Sequence, residues 1–158
     1  MNIEILKVNS KEMALEANKY LTKLIHDETK YDENINEKCV VNSLYDNFYM
    51  NENVCILLAK VEKQYVGYLF GTVMDTGDAY INTQAKLDAM FVDEKYRGNK
   101  IGKKLIDDFK KWANEKGVKY IELTVCNNNC SAINLYKNSG FKNIKIVMQY
   151  AMEEWKMK

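Results

Sequence analysis

Proline is absent from the sequence and histidine occurs once, which already restricts the chemistry open to the protein. Proline averages about 5% of residues in globular domains, and without it the chain has no cis-proline turn. The four cysteines lack the paired spacing of zinc sites; only Cys126 and Cys130 lie close together, and further ligands are missing nearby. We therefore expect no metal site and no disulfide. The cysteines are expected to be reduced, as in a cytoplasmic protein.

The charges are almost balanced, and long apolar runs are missing. Lys and Arg number 23 against 22 Asp and Glu, a net charge of +1. Such a balance gives no overall field to recruit nucleic acid or a membrane surface, so any anion site must be local. We expect no signal peptide in the first residues, and no apolar stretch of the sequence approaches the length of a membrane span. With 158 residues, 47% of them hydrophobic, we expect one soluble cytoplasmic domain over residues 1–158.

Hydrophobic periodicity predicts a mixed sheet of six or seven strands flanked by about four helices, an α/β (α+β) fold. The order is β-α-α-β-β-β-α-β-α-β-β, with a polar loop at residues 26–34 between the first two helices. The strand at 80–92 is long, which suggests a bulge or a late start. A helix separates it from the strand at 118–125, so these two strands should be parallel. The other strands are predicted at 3–8, 54–61, 65–74 and within 141–152, and the helices after Ser10, around 40–48, and at 101–113 and 131–138.

Residues 87–105 (LDAMFVDEKYRGNKIGKKL) read as a strand, a glycine-containing turn and a helix start. The first amides of a helix have no partner within the helix, and the helix dipole adds positive charge there, so such a junction binds anions. Four basic residues crowd this helix start, although cations are disfavoured there by roughly 0.3–1 kcal/mol each. Solvation explains any single one of them, but the cluster with two glycines favours a bound phosphate. The four are Arg97, Lys100, Lys103 and Lys104.

Two segments far apart in the sequence resemble signature motifs of the GNAT superfamily of acyl-CoA-dependent N-acetyltransferases. Residues 92–102 (VDEKYRGNKIG) are similar to the family's Arg/Gln-x-x-Gly-x-Gly/Ala loop, with Lys100 in place of its middle glycine. Residues 129–141 (NCSAINLYKNSGF) are similar to its Asn-x-x-Ala-x-x-Leu-Tyr-x-x-x-Gly-Phe segment. The clear resemblance covers residues 54–152. Residues 10–48, on the acceptor side of the family's fold, match only in their helical pattern.

The resemblance implies acetyl-CoA as the co-substrate, without a metal. The loop would cradle the pyrophosphate through backbone amides, and Lys100 keeps its amide although its Cβ comes near the phosphates. The strand end at 90–92 would pair its main chain with the pantetheine arm, because the family's parallel strands splay there. Asn129 would meet the other side of the arm, although a turn or N-cap role suits it equally. The expected cofactor-binding residues are Met90, Phe91, Val92, Arg97, Gly98, Asn99, Lys100, Ile101, Gly102, Lys103, Asn129 and Lys137.

Tyr136 and Asp88 are the catalytic candidates by the same resemblance. A phenol can donate a proton to the thiolate that leaves the thioester, and a strand amide near Phe91 would stabilise the oxyanion. The alternative for Tyr136 is a core tyrosine of an amphipathic helix. Asp88 should share a strand face with Met90 and Val92, about 13 Å from Val92, where a carboxylate could hold and deprotonate an ammonium. Its alternative is a solvent-facing acid at a strand edge.

The leading hypothesis is transfer of the acetyl group of acetyl-CoA directly to a primary amine of a small molecule or peptide. Polyamines, aminoglycosides, amino acids, protein N-termini and lysines all remain open as acceptors. The main alternative is a non-catalytic acyl-CoA-binding sensor or interaction module of the same fold. A Rossmann-type nucleotide site is disfavoured because its glycines and acidic partner are missing. Trp155 near the C-terminus is a contact candidate for a homodimer.

Overall fold

The computed structural model describes residues 1–157, and within them one sheet of five strands is flanked by helices on both faces. The mixed α/β class is confirmed, with fewer strands than the sequence predicted. Within this described part no helix is both long and apolar enough to cross a membrane. The strands are β1 (Ile3–Lys7), β2 (Val54–Val61), β3 (Gln64–Val73), β4 (Gln84–Val92) and β5 (Tyr120–Glu122), and the helices are α1 (Lys11–Glu28), α2 (Ile101–Glu115), α3 (Cys130–Asn138) and α4 (Met152–Lys156).

The sheet follows chain order, β1-β2-β3-β4-β5. The first four strands are antiparallel, with only the residues 62–63 joining β2 to β3, whereas β4 and β5 are parallel as predicted. A parallel pair needs a crossover, and α2 supplies it. This arrangement places the start of α2 and the carboxyl ends of β4 and β5 at the same edge of the sheet, where ligands bind in open α/β sheets.

Each face of the sheet has its own apolar layer. On one face α1 packs through Ala14, Ala17 and Tyr20 against a tyrosine-rich surface of β2 and β3. On the other, the apolar stripe of α2 packs against β2, β3 and β4, with Phe109 fully buried at its centre. A Cβ added to Gly71 would lie 2.2 Å from the Phe109 ring, so glycine is what lets this helix approach β3.

Two predictions about the first third of the chain are wrong. α1 continues to Glu28, through the start of the predicted loop at 26–34, and a helix does not form at residues 40–48. That stretch contains only a single 3-10 turn, Tyr45–Asn47. Asp46 accepts hydrogen bonds from the side chains of Asn18 and Ser43 and from a nearby backbone amide. Side chains that bind local backbone in this way compete with helix formation.

The predicted strand or strands within residues 141–152 are also not formed. Residues 141–151 have no regular secondary structure in the described chain, and α4 begins at Met152. A strand requires a neighbour for its backbone groups, and this stretch has none in the sheet. The strand predicted at 118–125 is shortened to β5 at both ends, and the strand predicted from residue 80 begins late, at Gln84.

Candidate active site

A β-bulge in β4 lies at Asp88. Phe70 on β3 pairs with Ala89, and the next residue of β3 pairs with Leu87, so Asp88 has no partner across the ladder. The extra residue interrupts the alternation of side chains: Leu87 packs in the α2 layer, and so does Met90, three residues later. A bulge bends its strand and re-aims a side chain, and it is common next to active sites.

The side chain of Asp88 lies toward the α1 face of the sheet. Thr72 donates a hydrogen bond to its carboxylate, Oγ1 to Oδ2 at 2.9 Å. Thr72 shares the α1 face with Phe70, two residues earlier on β3, which packs in that layer. The expectation that Asp88 shares a face with Met90 and Val92 is therefore wrong, because the period of two fails across a bulge.

The parallel strands β4 and β5 separate after only three residue pairs. Their ladder ends at Lys86 and Glu122, whereas β4 continues to Val92. Beyond the ladder, β4 has a strand neighbour on one side only within residues 1–157, namely β3. We call the opening between the two strands the β4–β5 groove. Its β4 side presents backbone groups that need partners, which a substrate amide can supply.

The backbone groups facing this groove belong to Met90 and Val92. Asp93 donates its amide to the carbonyl of Val66 on β3 at 2.8 Å, so by antiparallel alternation Phe91 also faces β3. The backbone groups of Met90 and Val92, which alternate with those of Phe91 and Asp93 along β4, therefore face away from β3. The amide of Phe91 therefore faces β3 and not the groove, whereas the amides of its neighbours Met90 and Val92 face the groove.

The start of α2, the candidate anion site, lies beside the groove, because Gly102 is close to the Met90 side chain of β4. Its N-cap residue, Lys100, makes no side-chain capping bond, and the first amide bonded within the helix is that of Lys104, to Lys100 at 3.1 Å. The amides of residues 101–103 are thus uncapped by side chains. Lys100 adopts left-handed backbone angles, φ 64° and ψ 18°, and Gly98 has φ 82°. These angles explain why glycine suits this turn.

Gly102 brings the anion loop, the groove and α3 together. A Cβ at this position would lie 3.0 Å from Leu135 of α3 and 3.7 Å from the Met90 side chain of β4. The close approach therefore fixes α3, which carries Tyr136, against the first turn of α2. The three regions that the resemblance assigned to acetyl-CoA form one contiguous surface.

The side chain of Arg97 braces this surface from the α1 side. Its Nε donates to the carbonyl of Val92 at 2.9 Å, and its guanidinium lies 3.7 Å from Asp27 and 5.1 Å from the ring centre of Phe91. Arg97 therefore ties the end of α1 to the end of β4. Asn99 has a similar local role, because its side-chain amide donates to the carbonyl of Tyr96.

Tyr136 lies on α3, and its ring is largely buried. Its ring meets Phe141 edge-on at 6.0 Å, and its hydroxyl makes no hydrogen bond within the described residues. Burial, with a smaller effect from the charge of Glu28, raises the pKa of Tyr136 to about 12. The phenol is therefore protonated at neutral pH and can donate.

Glu28, at the end of α1, is a site residue that the sequence reasoning missed. Burial and the neighbouring charges of Asp27 and Asp32 raise its pKa. Its charge in turn acts on the hydroxyls of Tyr136 and Tyr68. The sequence placed Glu28 in a polar loop, and its acidic neighbours made it look like one of several solvated charges.

The carboxylate of Asp88 faces the same tyrosine-rich region from the other side. Burial raises its pKa, although the hydrogen bond from Thr72 opposes that shift. Its charge acts on the hydroxyls of Tyr45 and Tyr68, which lie 3.2 Å apart. Tyr68 is thus coupled electrostatically to both carboxylates, Glu28 and Asp88. Two acids with raised pKa values therefore flank one region, an arrangement common at functional sites.

Asn129 and Lys137 lie at the two ends of α3. Asn129 is the N-cap, and its Oδ1 accepts from the amide of Ala132 at 3.3 Å, so the capping role allowed by the sequence is formed. Its neighbour Asn128 donates to the carbonyl of Tyr31, which links the loop before α3 to the loop after α1. Lys137 is exposed in the last turn of α3.

His26 supports the loop beside the groove. Its Nε2 lies 2.8 Å from the carbonyl oxygen of Cys39, within hydrogen-bonding distance. All four cysteines are free thiols, and burial raises the pKa of Cys55 to about 12. Across residues 1–157, no cluster of three or more His, Cys, Asp or Glu side chains is arranged to hold a metal ion.

Solved structures share this fold over almost their whole length. The chain matches a tetramutant of the BH1408 protein from Bacillus halodurans with TM-score 0.79 at 18% identity, covering 94% of this chain and 99% of the other. It matches aminoglycoside acetyltransferase meta-AAC0020, from an uncultured soil metagenomic sample and in complex with sisomicin, with TM-score 0.74 at 17% identity, covering 94% and 95%. It also matches the aminoglycoside N-acetyltransferase AAC(6')-Iy in complex with CoA, with TM-score 0.69 at 15% identity, covering 94% and 98%.

The family assignment rests on a different comparison. No curated protein matches the chain. The family model described as the acetyltransferase (GNAT) family matches residues 20–141, which include β2 to β5, the groove and both sequence motifs. The chain therefore belongs to the acetyltransferase (GNAT) family of acyl-CoA-dependent N-acetyltransferases.

Proposed function

We propose that this protein transfers the acetyl group of acetyl-CoA directly to a primary amine of a small cationic molecule. The observation that carries the proposal is that three features lie next to one another. These are the groove where β4 and β5 separate, the start of α2 without a side-chain cap, and the Tyr136 hydroxyl, which makes no hydrogen bond within residues 1–157. We assign the whole chain, residues 1–158, to this one domain.

The start of α2 fits the pyrophosphate of acetyl-CoA. The three amides at residues 101–103 lack capping side chains and point out of the positive end of the helix dipole. Lys100 and Lys104 add charge beside them. The outward amides of Met90 and Val92 and the outward carbonyl of Met90 fit the amide-rich arm, which would lie along β4 beyond its ladder with β5, whereas the carbonyl of Val92 accepts from Arg97.

Glu28 and Asp88 are suited to receive the acceptor. An alkylamine has a pKa near 10.4 and arrives as an ammonium ion, which two carboxylates attract and orient. The raised pKa of each carboxyl makes it a better proton acceptor than an ordinary acid. The ammonium proton leaves through water to one of them, and the free amine then attacks the thioester carbonyl.

Two hydrogen-bond donors stabilise the negative charge that develops on oxygen and on sulfur during acetyl transfer. The amide of Met90 or Val92 faces the groove and donates to the oxyanion of the tetrahedral intermediate. The Tyr136 hydroxyl donates to the sulfur as the C–S bond breaks. The C–N bond forms and the C–S bond breaks, the attacking nitrogen loses its second proton to water, and the departing thiolate takes up a proton from water. The products are an N-acetylated amine and CoA as its free thiol.

The acceptor class follows from the acidic surroundings of the groove. Asp27, Glu28 and Asp32 surround the end of α1, and Asp88 lies across from them. Polyamino sugars combine several ammonium groups with hydroxyls, and two of the structural neighbours are named as aminoglycoside acetyltransferases. We therefore rank cationic amino sugars and polyamines above amino acids and peptide N-termini.

The direct test is thiol release from acetyl-CoA in the presence of a broad panel of amines. We expect turnover with at least one di- or polycationic amine, and little with neutral or anionic amines of similar size. Turnover preferring an anionic amine would contradict the acceptor assignment. Acetyl-CoA binding by calorimetry without thiol release for any amine would favour the second candidate, an acyl-CoA sensor, which the lysine at position 100 motivates.

A further inference from the structure

A row of polar contacts joins α1 to the connection between β4 and α2. Tyr20, Lys23 and Asp27 lie on one stripe of α1, because residues three and four apart share a helix face. Their partners are Asp93, the residue directly after β4, and Arg97. We call these five residues the α1–β4 seam. The seam connects the helix on the acceptor side to the strand that lines the groove.

The carboxylate of Asp93 is the centre of the seam and uses both of its oxygens on α1. The Tyr20 hydroxyl donates to Oδ2 at 2.9 Å, and the Lys23 ammonium lies 2.8 Å from Oδ1. The hydroxyl also lies 2.8 Å from the carbonyl oxygen of Tyr65, so its one proton serves two acceptors. Burial, followed by the hydrogen bond to Asp93, raises the pKa of Tyr20, so the phenol remains a donor at neutral pH. Because Tyr20 is only 3% exposed, solvent screens this contact less than it screens a surface pair.

The backbone of Asp93 is anchored separately from its carboxylate. Its amide donates to the carbonyl of Val66 on β3 at 2.8 Å. Its carbonyl accepts from the amide of Tyr96 at 2.9 Å, within the turn before α2. Val92, with its amide toward the groove, directly precedes it in β4. Asp93 is therefore a fixed point of the sheet, from which its carboxylate holds α1.

The last turn of α1 depends on such polar contacts. Leu24 is the last residue of α1 that packs in the apolar layer on this face of the sheet. Beyond it, Asp27 lies 3.7 Å from the guanidinium of Arg97, and Nε2 of His26 lies 2.8 Å from a loop carbonyl oxygen. Glu28 ends this turn. A helix end with few buried apolar contacts opens easily, so the seam determines where the carboxylate of Glu28 lies.

We propose that Asp93 is a positioning residue, whose carboxylate fixes the end of α1, and with it Glu28, opposite the groove-facing amide of Val92. The inference rests on the proposed function, in which Glu28 holds the ammonium of the acceptor. An amine reacts only when it is held in line with the thioester carbonyl, and a small displacement of its holding group costs much of the rate. In this role Asp93 acts through Tyr20 and Lys23 and does not contact the reacting atoms.

Two substitutions of Asp93 grade the loss of the seam. Asp93→Asn keeps an oxygen for Tyr20 and loses the ion pair with Lys23, whereas Asp93→Ala loses both contacts. We expect kcat/KM for the best cationic amine to fall about 5-fold in the first variant and about 50-fold in the second. Lys23→Gln should match Asp93→Asn, and the double variant should lose no more than either alone, because both remove one interaction.

Hydroxylamine separates positioning of the acceptor from a general loss of structure. It is uncharged at neutral pH and needs no carboxylate, so its acetylation, corrected for the uncatalysed rate, should change less than about twofold in the Asp93 variants. Asp108→Asn and Asp108→Ala remove the carboxylate of an ion pair on α2, 3.2 Å from Lys111, and should leave both acceptors unaffected. Equal losses for hydroxylamine and the cationic amine in the Asp93 variants, or no loss for either, would overturn the positioning role.

Amide hydrogen exchange, followed by NMR without any substrate, tests the position of α1 directly. In Asp93→Ala we expect the amides of residues 25–28 to exchange at least about tenfold faster, with those of residues 105–113 in α2 unchanged. Asp93→Asn gives a smaller change of the same kind if the alanine variant does not fold, and Asp108→Ala is the control. Unchanged exchange at 25–28 would overturn this inference even if acetyl transfer occurs. Faster exchange there without thiol release for any amine would instead overturn the proposed function, and with it a role of Asp93 in transfer.

Discussion

Burial and the charge of Glu28 make the Tyr136 hydroxyl a weaker acid than a free phenol, since they raise its pKa to about 12. A thiol has a pKa near 8.5, so complete proton transfer from Tyr136 to a thiolate is uphill by about 5 kcal/mol. In the proposed reaction the hydroxyl therefore acts through a hydrogen bond that strengthens as negative charge develops on the sulfur. Such a bond stabilises the transition state more than the bound substrate.

For Tyr136→Phe we expect kcat to fall about 100-fold, with KM for acetyl-CoA changed less than about threefold. The substitution removes the donor and keeps the ring packed against Phe141. Steady-state thiol release with the best amine of the panel measures both constants. Tyr49→Phe removes a hydroxyl from another partly buried ring and serves as the matched control. Equal kcat for the two variants would exclude Tyr136 as the donor to sulfur.

Glu28→Gln should separate stability from activity. A carboxyl group whose pKa is higher in the folded state than in the unfolded state lowers the free energy of unfolding as pH rises from the unfolded pKa to the folded pKa. This cost to the stability of the protein is complete above both values. The variant lacks this cost, so it should be more stable than the parent at pH 7 by a few tenths of a kcal/mol, a small value because solvent screens a half-exposed group. The difference should disappear below about pH 4.

The same variant should have a lower kcat/KM for a cationic amine, because one carboxylate that holds the ammonium is gone. Denaturant unfolding at pH 4 and pH 7, with amine saturation curves, tests the two effects together. Glu52→Gln, in an exposed turn before β2, is the control for loss of one negative charge. A Glu28→Gln variant that is less stable at pH 7 and unchanged toward the amine would contradict both assignments.

At the scale of the element, the junction between β4 and α2 has a strained residue at its centre. Lys100 holds a left-handed conformation, φ 64°, that costs a non-glycine residue about 1 kcal/mol. Strain of this size persists at sites where the backbone geometry is needed for binding. The amides of residues 101–103, which no side chain caps, follow Lys100 directly.

A comparison of Lys100→Gly with Lys100→Ala isolates the effect of the Cβ, because both variants lose the same charge. The glycine variant avoids the left-handed strain, although the more flexible unfolded chain offsets part of the gain. We expect it to match or exceed the stability of the alanine variant by up to about 1 kcal/mol and to bind acetyl-CoA several-fold more tightly. Thermal unfolding and calorimetry measure the two quantities. Equal acetyl-CoA affinity in both variants would show that the Cβ does not crowd the pyrophosphate.

The elements themselves were predictable to different degrees. The α2 helix was predicted well because its apolar residues recur with the period of a helix and a glycine-containing turn precedes its first residue. The stretch at 40–48 has apolar residues at helical spacing too, yet Asp46 and Asn18 hold it in an irregular path. Asn18 is distant in sequence, so its contact could not be read from the local pattern. The bulge at Asp88 likewise depends on the register with β3.

At the scale of the whole molecule, one hydrogen bond joins two loops that are 97 residues apart in the sequence. Asn128, in the loop before α3, donates to the carbonyl of Tyr31 in the loop after α1. Within residues 1–157 the last strand of the sheet, β5, pairs only with β4, with which it forms the groove.

The sequence by itself determined the fold class, the parallel β4–β5 crossover, the glycine-containing turn before α2 and the family, because these depend on local periodicity and on short motifs. The tertiary structure decided which groups face the groove. It placed Asp88 on the α1 face, directed the amides of Met90 and Val92 outward, and brought Glu28 into electrostatic contact with Tyr136. The reason is physical: register, bulges and burial arise between distant segments, so no local pattern encodes them.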